Sequence, residues 1–336
     1  MNKKILGIIA IFLIAVALIF ILTQRQRPFF QADVSGIEIE PIRIGRYEEL
    51  LFNVNPFNLY QEITPYIDQF YVFLGDAIHT ESGQQKLFDY VTDPVIREIY
   101  LDTRKVWPDV DDLENELTEA FRFYRYHFSE ELIPQIFTYI SGIDYNYPVK
   151  YYDNVMVIGL DLYLGSDHPL YSKAGVAEFK RLDMHPRAVV VDIFRMLAEK
   201  HLQNTGFVPE QFLDFMIYEG KVLYFLDSML PKHPDSLKIA YTSTQYEWMQ
   251  ANIERVWTYF LENELLYSGD RPTISQFIGE APFTSPFSQD SPPRTAAYIG
   301  WQIVRDYMRN HPEVTLSGLV NEKDSRKILR MSRFRP

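Results

Sequence analysis

Cysteine is absent from all 336 residues. Its absence excludes disulfide frameworks, thiolate metal sites, thiol nucleophiles and lipid attachment to an amino-terminal cysteine. Histidine is sparse: the seven stand at 79, 127, 168, 185, 201, 233 and 311, and no two are four residues apart. A zinc hydrolase helix uses that spacing to aim two imidazoles at one metal, so these histidines are expected to be surface or capping groups. No Gly-x-Ser-x-Gly elbow, phosphate-cradling glycine loop or dinucleotide fingerprint occurs. Basic charge is short as well. With 45 acidic and 33 basic side chains the net charge is −12; the two ends, residues 1–27 and 322–336, are each +4, which leaves −20 on residues 28–321. A body of that sign repels phosphate backbones and argues against a nucleic-acid partner. Its 24 Phe and 23 Tyr supply enough apolar area to offset chain entropy, which argues against disorder.

The first feature present is an unbroken run of 18 apolar or glycine residues, Ile5 to Leu22. As a helix it measures roughly 27 Å against a hydrocarbon core of about 30 Å. Ala15 and Ala17 have the spacing of a cleavage site, but five more apolar residues follow them. An uncleaved signal anchor over residues 1–27 is therefore expected, with a cleaved signal as the alternative. Lys3 and Lys4 face Arg25 and Arg27 across the run, and the reading adopted puts the amino terminus inside and the acidic body in the periplasm.

In the body, Ile37, Ile39, Ile42 and Ile44 alternate, predicting a strand over 36–45, with Pro41 tolerable at an edge. Asn55-Pro56 opens a helical stretch through Phe70, and Asp93-Pro94 opens another ending near Trp107-Pro108. Asp111 to Glu130 places Leu113, Leu117, Phe121, Tyr124 and Phe128 on one face and acids in the first turns, where the helix dipole favours them. Residues 134–164 turn β-branched and aromatic, predicting two or three strands. Helices are expected near 187–203, 209–229, 243–265 and 294–310, and a last one over 322–333. No repeat or long low-complexity tract divides the chain, so residues 28–336 are expected to form one mostly helical α+β domain, a small sheet packed with helices.

Two apolar helices contain charges. In Ala188 to Ala198, Asp192 and Arg195 stand at i, i+3 and are expected to pair with each other. In Phe215 to Phe225, Glu219 and Lys221 flank Gly220, whose cost of about 1 kcal/mol relative to Ala predicts close approach of a neighbouring element. Arg195 or Arg305 is the expected partner of Glu219. Asp192, Arg195, Glu219, Lys221 and Arg305 together form the candidate polar network; no catalytic, cofactor or metal-binding residue is assigned.

The segments MIYEGKVLYFLDSMLP (216–231), DSLKIAYTSTQYEWMQANIERVWTYFLENELLYSGD (235–270), FIGEAPFTSPF (277–287) and IGWQIVRDYM (299–308) look like the GldB gliding-motility lipoprotein family of Bacteroidetes. IGLDLYLGSDHPLY (158–171) and the terminal SRFRP (332–336) fit the same family. The likeness is dense over 150–336 and weak before Pro134. It implies a cell-envelope protein required for gliding, working with the machinery of type IX secretion. The order of strand and helices also resembles, more distantly, the gluzincin zinc proteases. On that likeness Val191, Asp192 and Arg195 take the His, Glu and His positions of HExxH, and Glu219 takes the third-ligand position. An arginine cannot ligate zinc because its guanidinium stays protonated, so the implied architecture is a degenerate zincin without a metal site. The chain departs from a lipoprotein family in having no cysteine, and a retained helix would hold it at the inner membrane. The function expected is that of a non-enzymatic, membrane-anchored accessory protein binding other gliding and type IX secretion envelope proteins. The alternative is a periplasmic hydrolase or peptidoglycan-binding protein. The basic end, with Arg326, Lys327, Arg330, Arg333 and Arg335, is expected to dock on the protein's own body through Ile328, Leu329, Met331 and Phe334, with anionic lipid as the other possible surface.

Overall fold

A computed structural model describes residues 32–336, so the expected anchor over 5–22 lies outside the described residues. Four strands, β1 (Ile44–Arg46), β2 (Gln135–Tyr139), β3 (Val149–Tyr152) and β4 (Val155–Gly159), form one sheet in the order β1-β2-β4-β3. β1, β2 and β4 are parallel, with Ile44 opposite Ile136 and Ile136 opposite Met156; β3 runs antiparallel to β4 at the edge. Asp153 and Asn154 both take positive φ in the two-residue turn between β3 and β4, the geometry that matches the twist of a tight hairpin. Of the two or three strands expected over 134–164, three are present. The strand expected over 36–45 forms only at its end. Pro41 has no N–H, and the amides of Ile42 and Ile44 donate to Thr118 Oγ1 and Glu114 Oε1, both at 2.9 Å, in place of a neighbouring strand.

Ten helices of seven or more residues occur among the described residues: α1 (Tyr47–Asn53), α2 (Glu81–Thr92), α3 (Pro94–Val106), α4 (Asp111–His127), α5 (Val189–Asn204), α6 (Phe212–Met229), α7 (Ser243–Glu262), α8 (Arg271–Ile278), α9 (Thr295–Asn310) and α10 (Ser325–Ser332). With the small sheet they make the chain α+β and mostly helical. The periodic face expected on α4 is buried throughout. The stretch expected as one helix from Asn55 to Phe70 is instead a chain of short turns and the five-residue helix Leu59–Ile63. Asn55 Oδ1 caps it by accepting from the Phe57 amide at 3.1 Å, but Pro65 removes a donor where a longer helix would need one. At the other end Asp324 Oδ1 accepts from the Lys327 amide at 2.8 Å, starting α10 three residues later than expected.

The core is one continuous apolar cluster reaching from Ile42 to Ile328, with α6 and α9 crossing at its centre. Gly220 does there what its cost implied: a Cβ on it would lie 2.4 Å from the Gly300 carbonyl oxygen, and one on Gly300 would lie 1.8 Å from that of Met216. Beside this crossing sits a buried ion network. Arg305 donates to both oxygens of Asp227 at 2.7 Å and to Asp235 at 2.7 and 2.9 Å, and stacks on Trp301. Lys238 Nζ and Trp301 Nε1 complete Asp227 at 2.9 and 2.8 Å. Such a network is tolerable in a core because every partner is satisfied.

Candidate polar cleft

The charges on α5 repeat at helical spacing, so Asp192, Arg195 and Glu199 lie along one face. That face, with Val191, forms one wall of a cavity of about 420 Å³. α6 contributes Glu219, the loop before α9 contributes Arg294, and the segment ahead of α5 contributes Asp183. Tyr145, Asn146 and Pro148 of the β2–β3 connection and Gly279 to Ala281 after α8 close the rim.

The short helix Asp235–Ile239 explains the arrangement of cations. It ends at Ala240 with φ 65, leaving its last carbonyls without helical donors. Arg195 donates to the Lys238 carbonyl at 2.7 Å, and Arg294 to the Ile239 carbonyl at 3.3 Å. Two guanidinium groups thus cap one helix end, where the dipole favours positive charge. Arg294 also pairs with Glu219 at 2.8 Å. Lys238 ties this capping to the core, since its side chain belongs to the Asp227 network.

Asp192 receives the Tyr163 hydroxyl at 2.8 Å. Burial pushes its carboxyl up to about 7, against the pull of Arg195, and nearby Asp183 adds to the rise. Burial pushes Asp183 up to about 6 and raises Glu199 as well. Arg195 is lowered by burial and then by the like charge of Arg294. Burial opposes the Arg294 charge too, but Glu219 outweighs it and holds that guanidinium above its ordinary value. The cleft therefore holds carboxyls near neutrality, able to keep or release a proton at physiological pH, beside two fixed cations. Among the described residues no group of three or more His, Asp or Glu side chains is placed to hold a metal ion.

Three of the five candidate residues, Asp192, Arg195 and Glu219, meet in this cleft. The other two do not. Lys221, two residues further along α6, is buried elsewhere and donates to the Glu322 carbonyl oxygen, while Arg305 serves the Asp227 network. Asp192 and Arg195 share a face as expected, yet each bonds elsewhere, Asp192 to Tyr163 and Arg195 to the helix end. Glu219 takes Arg294 and neither Arg195 nor Arg305. Sequence reasoning missed Asp183, Glu199 and Arg294. Glu199, seven residues after Asp192, carried a helical signal; Asp183 and Arg294 lie in irregular segments that carry none.

No curated protein and no solved structure matches the chain. The family model described as "Gliding motility protein GldB" matches residues 29–336, nearly all of the chain and the whole of the described structure. The chain belongs to the GldB gliding-motility family.

Proposed function

We propose that this member serves gliding motility as a non-enzymatic interaction protein of the cell envelope, anchored through residues 5–22 and working with other gliding and type IX secretion proteins. The observation that carries the reading is the use of Arg195 and Arg294. Both cations at the centre of the cleft are committed to capping the Asp235–Ile239 helix, and Glu219 is committed to Arg294. Arg195 and Glu219, at two of the positions the peptidase likeness reserves for metal ligands, thus hold the fold together. A cleft so wired is suited to receiving a polar segment of another protein, with Asp183, Asp192 and Glu280 on its walls.

A hydrolase acting in the periplasm is the second reading, favoured by carboxyls raised to about 6 and 7 in one cleft, the range useful for acid–base work. Replacing Asp192→Asn in the native host separates the two. Asparagine can still accept the Tyr163 hydrogen bond but cannot exchange a proton. The hydrolase reading predicts loss of gliding with the variant at normal abundance and its envelope partners still captured; the interaction reading predicts that gliding falls only where capture of those partners falls with it.

A further inference from the structure

The basic carboxyl-terminal segment docks on the body only in part. Ile328 is fully buried, and α10 packs on α9. Past it, Arg333 takes φ 53 and turns the chain back, so that Phe334 meets the Trp257 ring edge-on at 5.4 Å. The Asn310 side chain fixes the turn by donating to the Ser332 carbonyl at 2.7 Å. The apolar residues are therefore used internally, as are Lys327, paired with Glu322, and Arg326, which donates to Gln211 at 3.2 Å, but the last three cations are not. Arg330, Arg333 and Arg335 are exposed, and their guanidinium groups make no ion pair or hydrogen bond among the described residues. They rim an open groove floored by Trp257, Leu261 and Phe334. Leu261 is 47% exposed, and nearby Tyr267, under the Arg326 guanidinium at 4.6 Å, is 53% exposed.

We propose that this surface is a docking site for an anionic phospholipid membrane. Charge complementarity argues for it: three free arginines gather at one place on a chain of net charge −12, which otherwise repels such a surface. Aromatic and aliphatic side chains between the cations suit the boundary between headgroups and acyl chains. The length of chain outside the described residues also argues for a membrane partner. Nine residues, Thr23 to Gln31, separate the apolar run from the body and span at most about 30 Å, which keeps the body beside any bilayer the run enters. Docking through the arginines fixes the orientation of the body on that bilayer.

The absence of cysteine makes the test clean. Leu261→Cys, labelled with an environment-sensitive fluorophore, is reconstituted as the full chain into phosphatidylcholine vesicles with and without phosphatidylglycerol. The emission is expected to shift to the blue only with phosphatidylglycerol, and to return on raising the salt. Replacing Arg330, Arg333 and Arg335 by Gln is expected to weaken this preference roughly fivefold per arginine, without moving the thermal midpoint. Equal emission in both vesicles, or a shift that survives the three substitutions, would overturn the proposal. So would a shift produced by polyglutamate over neutral vesicles, which would identify an acidic polypeptide as the partner. Tyr267→Cys provides a second labelling position if the first perturbs the fold.

Discussion

Asp192 sits on the cleft wall with one hydrogen bond from a phenol and a carboxyl pushed up to about 7 from an ordinary 3.8 by burial. The folded chain therefore binds this proton more tightly than the unfolded chain. Stability contributed by the protonated carboxyl is complete below about pH 4 and is lost as the pH rises through 7. Asp192→Asn is expected to flatten the pH dependence across that window and to stabilise the protein by about 1–2 kcal/mol at pH 8; full conversion of the shift would exceed this, but the group faces an open cleft. Chemical denaturation of the two proteins at pH 4, 6 and 8 measures the difference. Asp227 is the contrasting case, a carboxylate 4% exposed that balances Arg305 and Lys238. Asp227→Ala leaves two buried cations with Asp235 as their one remaining carboxylate and is expected to cost about 3–5 kcal/mol, read from the denaturation midpoint. Charges inside apolar helices were visible as exceptions in the sequence, which is why Asp192, Arg195 and Glu219 stood out. Their partners were not visible. The Asp192–Arg195 pairing followed from spacing alone, and it lost to a tyrosine and a helix end brought close only by the fold.

The crossing of α6 and α9 depends on two glycines at one contact. A methyl on Gly300 would overlap the Met216 carbonyl, and neither backbone can yield without separating the helices. Gly300→Ala is expected to destabilise by about 2–3 kcal/mol despite the better helix propensity of alanine. Gly269→Ala, where a Cβ meets only Glu210 O at 3.7 Å, is expected to be near neutral; thermal unfolding of both variants checks the pair. Gly220 announced this contact because glycine within an apolar helix needs a packing reason. The long helices were legible for the same kind of reason, since apolar periodicity and an N-cap such as Asp93 are local signals. β1 was not, because its start is decided by Glu114 and Thr118 seventy or more residues away. The break after Asn55 owes to Pro65, a local signal that the helical reading through Phe70 left out of account.

For the molecule as a whole, the family resemblance stated from segments after Pro134 extends to residues 29–336. Sheet order was illegible, because β1 pairs with β2 across helices α1 to α4 and no local pattern encodes such a register. The cleft was half legible: α5 and α6 announced their charges, whereas Asp183 and Arg294 enter from irregular segments. What unites the molecule is that cleft charges are spent on structure, with Arg195 and Arg294 closing a helix end that Lys238 joins to the buried network. That wiring underlies the proposal of an interaction protein. The most direct measurement is capture of the full-length protein from its native envelope in mild detergent, with mass spectrometry of what accompanies it. The interaction reading predicts gliding or type IX secretion envelope proteins; recovery of the protein with no envelope or motility component would contradict it.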